Sequence, residues 1–560
     1  MDSNKSHSTI LWRINMWSTF SEFLVEQIEQ LSPKQMLLGA TVPLAYMAYQ
    51  HDWKREKEKW QQWIYDTLPR LPIIGAKFRA SIDKEFNPAL DALDKSIHEK
   101  RTLRYRALPK QGVSQKEILE HVKTIANSTH LKDMMSGGIY RDLNDAYLDE
   151  LNAEIFRLAA YTNPLHGGAW PELAQCEAEV IAWCAKLFHG NETVCGNITP
   201  GGTYSIMEAM RTYKKWAKET KGIDRPNMVV PSSIHAAFDK GAEDYGIELI
   251  NVPVDPITQR ADVKAMGGKI NNNTIAIVGS APSFPCGAID PIKDLSELAA
   301  KHKIGMHVDA CLGGFLIPFA KDAGTDIGSF GFDLPGVTSV SADPHKYGET
   351  PKGSSVILFR KDIGKFQAYV KLDSAIGMYI TPNQAGSRNG ANILMTWGTL
   401  LAVGRDQYIE NTRKILALRT EIVTEIKKIT QLKLLGNADL SVIAFDSHIV
   451  NIYAISEQMH QKGWHLNNIQ HVKGAHLCLT ANHLQSKTFC HRFIRDLASA
   501  VKYVNEHPLE KPKGDGATYA SLAAMPPLLA PQLKNKLGRE YALLAGNIEQ
   551  SRSASNRPNF

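Results

Sequence analysis

Between Met228 and Phe359 the chain carries a succession of short apolar runs, MVVP, IELINVPV, TIAIVGSAP, IGMHVDA, VTSVSAD and SSVILF, separated by helix-like segments and by Gly or Pro turns. Runs of this length that are apolar throughout read as strands buried on both faces, and a chain buries both faces of a mainly parallel sheet by wrapping it with helices. That pattern fixes an α/β class. It also says where chemistry belongs: at the strand ends and in the loops that leave them. Upstream, from about Asp149 to Val254, long helical segments alternate with short strands. After about Gly386 a helical stretch through Ile429 leads to a smaller region with strands near Leu440 to Phe445 and His476 to Thr480.

At 560 residues the chain has room for two or more packed subdomains. Its 64 basic against 58 acidic residues leave +6, spread along the chain rather than gathered in a patch that could track a phosphate backbone, so nucleic acid is not implied. With 43% hydrophobic and 22% charged residues it is neither disordered nor a multispan membrane chain. The seven cysteines, Cys176, Cys184, Cys195, Cys286, Cys311, Cys478 and Cys490, are odd in number and include no CxxC pair. They support neither a disulfide framework nor a zinc knuckle, and a reducing compartment is expected. Most read as small core fillers; Cys311 is the one placed to border a site.

The first sixty residues differ from the rest. An amphipathic stretch, Trp17 to Gln30, precedes the apolar run Met36 to Tyr49, and then comes HDWKREKEKW. The run is a candidate membrane anchor, short of the roughly 20 residues a span needs and interrupted by Pro43; an N-terminal helix packed on the body is the equal alternative. If it inserts, Lys54, Arg55, Lys57 and Lys59 put the body on the cytoplasmic side. No cleavable signal peptide is evident. The expected division is an N-terminal segment 1–60, a helical segment 61–140, a large domain 141–385, a small domain 386–507 and a loosely structured tail 508–560 with KPKGDG and MPPLLAP.

The residues that carry chemistry lie at the ends of the runs. In SADPHKYGETPKG, Ser341 to Gly353, Lys346 follows a strand, flanked by His345 and with Lys352 on the same loop. A desolvated lysine with a lowered pKa is what condenses with an aldehyde cofactor, although most lysines are solvated surface groups. Asp309 ends IGMHVDA, where a buried carboxylate needs a partner that a protonated pyridine nitrogen supplies; the plain alternative is a cap on the next turn. ITPGGTYS places Gly202 and Thr203 at a helix start, where backbone N–H groups and the positive dipole end suit a phosphate. His235, after NMVV, stands where an imidazole can stack on a flat ring or merely cap a helix.

These pieces in this order resemble the fold-type I pyridoxal phosphate enzymes, in the branch of the aromatic amino acid and glutamate decarboxylases. Within that branch, YTNPLHGGAWPELAQCEAEV, TPGGTYSI, VGSAPSFPCGAIDPI, HVDACLGGF, SADPHKYGETPKGSS and AGSRNG are similar to the sphingosine-1-phosphate lyases over roughly residues 110 to 505. The resemblance implies a large domain with a mainly parallel mixed sheet flanked by helices and a smaller C-terminal α/β domain. It implies pyridoxal 5'-phosphate held by Lys346, with Asp309 on the ring nitrogen, His235 stacked on the ring, and Gly202, Thr203 and His345 on the cofactor phosphate. Gly386 and Ser387 of AGSR would join them from a neighbouring subunit, in a homodimer with shared sites. Tyr140, Asn163, His166 and Lys352 would bind the substrate's phosphate, and no metal is expected. The implied reaction splits C2–C3 of a phosphorylated sphingoid base into a long-chain aldehyde and ethanolamine phosphate, at a membrane of the endoplasmic reticulum kind with the body facing the cytosol. Tyr140, Lys352, Lys346 and His166 are all candidates for the base that deprotonates the 3-hydroxyl. Tyr204, Pro344 and Cys286 depart from the family's usual residues and bear on pocket shape. The competing readings are an amino-acid decarboxylase with the same cofactor, which needs a carboxylate pocket rather than a second cation at Lys352, and an inactive membrane-anchored scaffold.

Overall fold

The apolar runs become strands of one seven-stranded sheet: β2 (Asn227–Pro231), β3 (Glu248–Val252), β4 (Thr274–Ser280), β5 (Gly305–Asp309), β6 (Ser339–Ala342) and β7 (Ser355–Arg360), joined by β1 (Val194–Thr199). The order is β1-β7-β6-β5-β4-β2-β3. Strands β3, β2, β4, β5 and β6 pair in parallel, as their all-apolar pattern requires. At β7 the direction reverses, because the loop 343–354 brings the chain straight back beside β6 with no helix to carry it across; β1 then pairs antiparallel outside β7. The described residues are 109, 111–127, 133–375, 377–470 and 472–508 of the computed structural model. The run 36–49, the rest of the segment 1–60 and the tail past 508 lie outside them, as does most of 61–140.

The helices that cover the sheet are amphipathic and end on identifiable signals. Pro171–Leu187 packs against β1 and β7, Gly202–Lys221 against β6 and β7, and Ile292–His302 against β4 and β5. Gly202–Lys221 stops at Gly222, whose φ of +67° is the left-handed cap a glycine adopts without strain. It starts at Gly201 with no side-chain cap, which leaves its first N–H groups open toward the sheet's carboxyl edge.

A long helical stretch, Gly390–Ile426, bends at Gly404 and leads to a second sheet. A hairpin of β8 (Tyr369–Lys371) and β9 (Tyr379–Thr381) precedes it. The second sheet has β10 (Leu432–Leu434), β11 (Val442–Ser447), β12 (Asn467–Ile469) and β13 (Gly474–Cys478) in the antiparallel order β10-β11-β13-β12. Trp464 anchors its core, fully buried with its ring edge-on to Phe489 and Phe493 at 5.5 and 5.1 Å. All seven cysteines are free thiols. Among the described residues no helix is long and apolar enough to cross a membrane.

Candidate active site

The carboxyl ends of β4, β5 and β6 lie in register, Ser280 beside Asp309 and Asp309 beside Ser341. Asp309 is buried, and its Oδ1 accepts from the Cys311 backbone N–H at 3.1 Å and the Ser341 hydroxyl at 3.3 Å. Cys311 does border this site: its thiol reaches the Ser341 hydroxyl at 3.3 Å, and burial, with Asp309 and Asp343 nearby, pushes its pKa well up. An uncharged, inert thiol at this point is a wall, not a nucleophile.

Where β6 ends, a turn closed by the Lys346 N–H on the Asp343 carbonyl (2.9 Å) folds Lys346 back over Asp343. The Lys346 ammonium stands 3.0 Å from Asp343 Oδ2, and His345 Nε2 stands 3.6 Å from the same oxygen. From the sequence, Lys346 is expected to lose its proton easily. The structure differs: burial, the largest single influence, works against the charge on Lys346, but the Asp343 carboxylate, with Cys311 and Tyr140 beside it, holds the ammonium above the ordinary lysine range. Burial likewise opposes ionisation of Asp343, and Lys346 with His345 outweighs it, keeping the carboxyl below its usual range. His345 is pushed down by burial and by the two lysines.

Lys352 donates to the His345 carbonyl at 3.4 Å and lies 4.9 Å over the Tyr140 ring. Burial, and then the charge of Lys346, lower its pKa. Tyr140 is buried, stands edge-on to Tyr347 at 5.0 Å, and lies beside the Cys478 thiol. Tyr347 donates to the Leu479 carbonyl at 2.6 Å, and its oxygen meets the Ser441 hydroxyl at 2.5 Å. The floor beside Lys346 is therefore built from the second sheet.

Gly202 faces this group from the start of its helix. A Cβ there would stand 2.8 Å from Asp343 Oδ2 and 2.9 Å from Cys311 Sγ, so only glycine fits. A hydroxyl chain from Thr199 through Ser205 to Ser355, 2.7 Å at each step, ties the helix start to β1 and β7. Thr203 is half-buried beside it, and Tyr204 is exposed. His235 follows β2, exposed; its Nδ1 accepts from the Ala237 N–H at 3.1 Å and its ring meets Phe284 edge-on at 6.5 Å. An open imidazole, an uncapped helix start, a glycine-only cradle and a buried carboxylate at a strand end suit a flat, phosphorylated, nitrogen-bearing ring.

The other residues expected from the sequence form a second group within this chain. Asn163 donates to the Ser387 hydroxyl at 3.0 Å and accepts from the Leu165 and Arg388 N–H groups. His166 tilts against Trp170 at 6.5 Å, and Gly386 abuts Tyr379. These contacts join Asn163, His166, Gly386 and Ser387 to their own neighbours rather than to Lys346. The sequence reading missed the lock on that segment: Arg388 forks onto Glu177 at 2.7 and 2.9 Å and donates to the Ile198 carbonyl at 2.8 Å, just before TPGG. It also missed Asp343, although a small-residue strand ending in an acid three residues before the lysine is a readable signal. Among the described residues no cluster of His, Cys, Asp or Glu is arranged to hold a metal ion.

Residues 98–448 match the pyridoxal-dependent decarboxylase conserved domain. The chain is 40% identical to a sphingosine-1-phosphate lyase of Drosophila melanogaster over 463 residues, 82% of this chain and 84% of that one. It is 36% identical over 543 residues to a probable sphingosine-1-phosphate lyase of Legionella pneumophila, covering 90% and 89%. Among solved structures, the sphingosine-1-phosphate lyase of Burkholderia pseudomallei is similar with a TM-score of 0.70 at 33% identity, covering 73% of this chain and 95% of that one. A glutamate decarboxylase of Lactobacillus brevis, at 20% identity and a TM-score of 0.63 over 73% of this chain and 97% of that one, shares the fold.

Proposed function

Because this chain belongs to the pyridoxal-dependent decarboxylase family and, within it, to the sphingosine-1-phosphate lyases, we propose that it cleaves the C2–C3 bond of a phosphorylated sphingoid base, releasing a long-chain aldehyde and ethanolamine phosphate. The cofactor is pyridoxal 5'-phosphate, which when bound supplies an aldehyde for a lysine and a conjugated ring that takes up the electron pair freed by bond cleavage. The observation that carries the substrate class is Lys352. Its ammonium sits beside Lys346 over the Tyr140 ring and donates to a carbonyl, with no carboxylate salt bridge among the described residues. Such a cation is free to meet a substrate phosphate.

In this reading Lys346 takes the cofactor aldehyde and Asp309 holds the proton on the ring nitrogen. His235 stacks on the ring, and Gly202, Thr203 and His345 hold the cofactor phosphate. Lys352 and Tyr140 bind the substrate phosphate, joined by Asn163 and His166, which group with Ser387 and so come from a second copy. Anchoring that end of the substrate fixes which bond at the amine-bearing carbon stands perpendicular to the ring, and so selects C2–C3. Buried walls of Tyr140, Tyr347, Cys311 and Cys478 keep water from the reacting carbon. Gly386 and Ser387, grouped with Asn163 and away from Lys346 in one chain, complete the site of a second copy in a homodimer. The run 36–49 and the lipid nature of the substrate support association with a membrane surface, at the endoplasmic reticulum or a similar membrane, with the body in the cytosol.

The test is direct. The purified chain is incubated with sphingosine 1-phosphate, and aldehyde and ethanolamine phosphate are sought by mass spectrometry. Production of both supports the reading. Turnover of free amino acids to amines and carbon dioxide, without aldehyde from the phosphorylated base, would replace it with a decarboxylase.

A further inference from the structure

Asp343 is 2% exposed, and its two oxygens have different surroundings. Oδ2 faces Lys346 at 3.0 Å and His345 at 3.6 Å, whereas Oδ1 is buried and has no hydrogen-bond partner. A buried carboxylate with an unused oxygen is costly unless a cation compensates it. The compensation is built into the backbone: the turn that closes on the Asp343 carbonyl sets Lys346 at i+3, and the carboxylate occupies the space beside Gly202 that a side chain there would need. The titratable groups around the pair are His345 and Lys352 on the same loop, Cys311 after β5 and Tyr140 from the segment before the large sheet.

We propose that Asp343 is the positioning residue for Lys346, the counter-ion that fixes the place and the protonation of this lysine whenever it is not covalently engaged. The inference rests on Lys346 being the lysine that takes the cofactor. Only the neutral amine attacks an aldehyde, so one proton leaves Nζ before the N–C bond forms. The carbonyl oxygen then departs as water, and the nitrogen ends in a C=N bond carrying one proton. Asp343 opposes the first of these events and favours the return of the proton when the lysine is displaced. It acts through Lys346 and touches no reacting carbon.

The experiment follows capture of added pyridoxal phosphate by the full-length apo-protein, read as bound-cofactor absorbance against time over a pH series. Asp343→Asn is expected to capture cofactor about tenfold or more faster than wild type at neutral pH, with the two rates converging in alkali. Asp343→Glu, which keeps the charge, is expected to restore the wild-type profile. Superimposed wild-type and Asn profiles overturn the proposal, and so does a Glu variant that behaves like Asn. If the Asn variant does not fold, wild-type apo-protein is acylated across the same pH series and mapped by peptide mass. Lys346 should reach half of its own plateau at higher pH than Lys352, and the reverse order overturns the proposal. Borohydride reduction of the holoenzyme separates the two layers: a label on another lysine removes the functional reading, while a label on Lys346 with superimposed profiles removes only the role of Asp343.

Discussion

Two lysines on one loop have opposite surroundings, and this difference is the chemistry of the site. Lys346 is paired with Asp343, whereas Lys352 rests on an aromatic ring and a carbonyl. Lys352→Ala is therefore expected to lower kcat/KM for the phosphorylated substrate by roughly 10- to 100-fold, the worth of one charge-assisted contact, while the bound-cofactor absorbance is kept. Loss of the absorbance together with activity would mean that Lys352 serves the cofactor instead. Gly202→Ala is the complementary change. Its methyl would meet Asp343 and Cys311 at under 3 Å, so cofactor affinity should fall in a chain that still folds, as read by cofactor titration beside circular dichroism. The residues with a motif around them, Lys346, Asp309 and Gly202, were legible in the sequence because small residues at a strand end announce a close approach. The protonation of Lys346 was not, because it is set by the balance of burial against Asp343, and that balance exists only once the turn has formed.

At the scale of elements, the strands that could be read were those buried on both faces. Strand β1, VCGNIT, escaped because it lies at the sheet's edge and carries Gly196 and Asn197 where apolar residues would mark a strand. The glycine is required: a Cβ at 196 would stand 2.1 Å from the Ile357 carbonyl oxygen across the ladder. The reversal at β7 was equally invisible, since a run such as SSVILF has the same pattern in either direction. What ties the segment 385–390 to β1 is Arg388, which donates to the Ile198 carbonyl and forks onto Glu177 of the helix Pro171–Leu187, with both charged side chains largely buried. Lysine keeps the charge but not the fork. Arg388→Lys should then cost about 2 kcal/mol in urea unfolding, the worth of a lost hydrogen bond to a charged group. It should also weaken cofactor retention, if Gly386 and Ser387 serve a site. An unchanged unfolding midpoint would show that the segment is held by other contacts.

Across the whole molecule, the joint between the two sheets contains imidazoles that the fold keeps neutral. His476 of β13 donates from Nδ1 to the Pro285 carbonyl at 2.9 Å, accepts at Nε2 from Asn467 at 3.0 Å, and packs edge-on to Phe284 at 4.8 Å. Both ring nitrogens are thus committed to the neutral form, and burial pushes the pKa down to about 4. His483 donates to the Met135 carbonyl, with burial lowering it to about 4 as well. A folded pKa below the unfolded one means that the stabilisation is complete above the ordinary histidine value and is lost as pH falls through about 4, worth roughly 3 kcal/mol for His476. Asp290, raised to about 6, and Glu349, raised to about 7, act in the opposite sense and favour the fold as pH falls. Total stability is therefore a poor probe of any one group, and the informative quantity is a difference between two chains. His476→Gln keeps polar contacts but cannot titrate, so its unfolding free energy should lie below wild type at neutral pH, with the gap narrowing steadily between about pH 6.5 and 4. Urea unfolding of both chains at closely spaced pH values measures that gap. A gap that stays constant would mean that His476 takes up its proton at least as readily in the folded protein as in the unfolded chain, so that the joint between the sheets accommodates a cation where the hydrogen bonds call for a neutral ring.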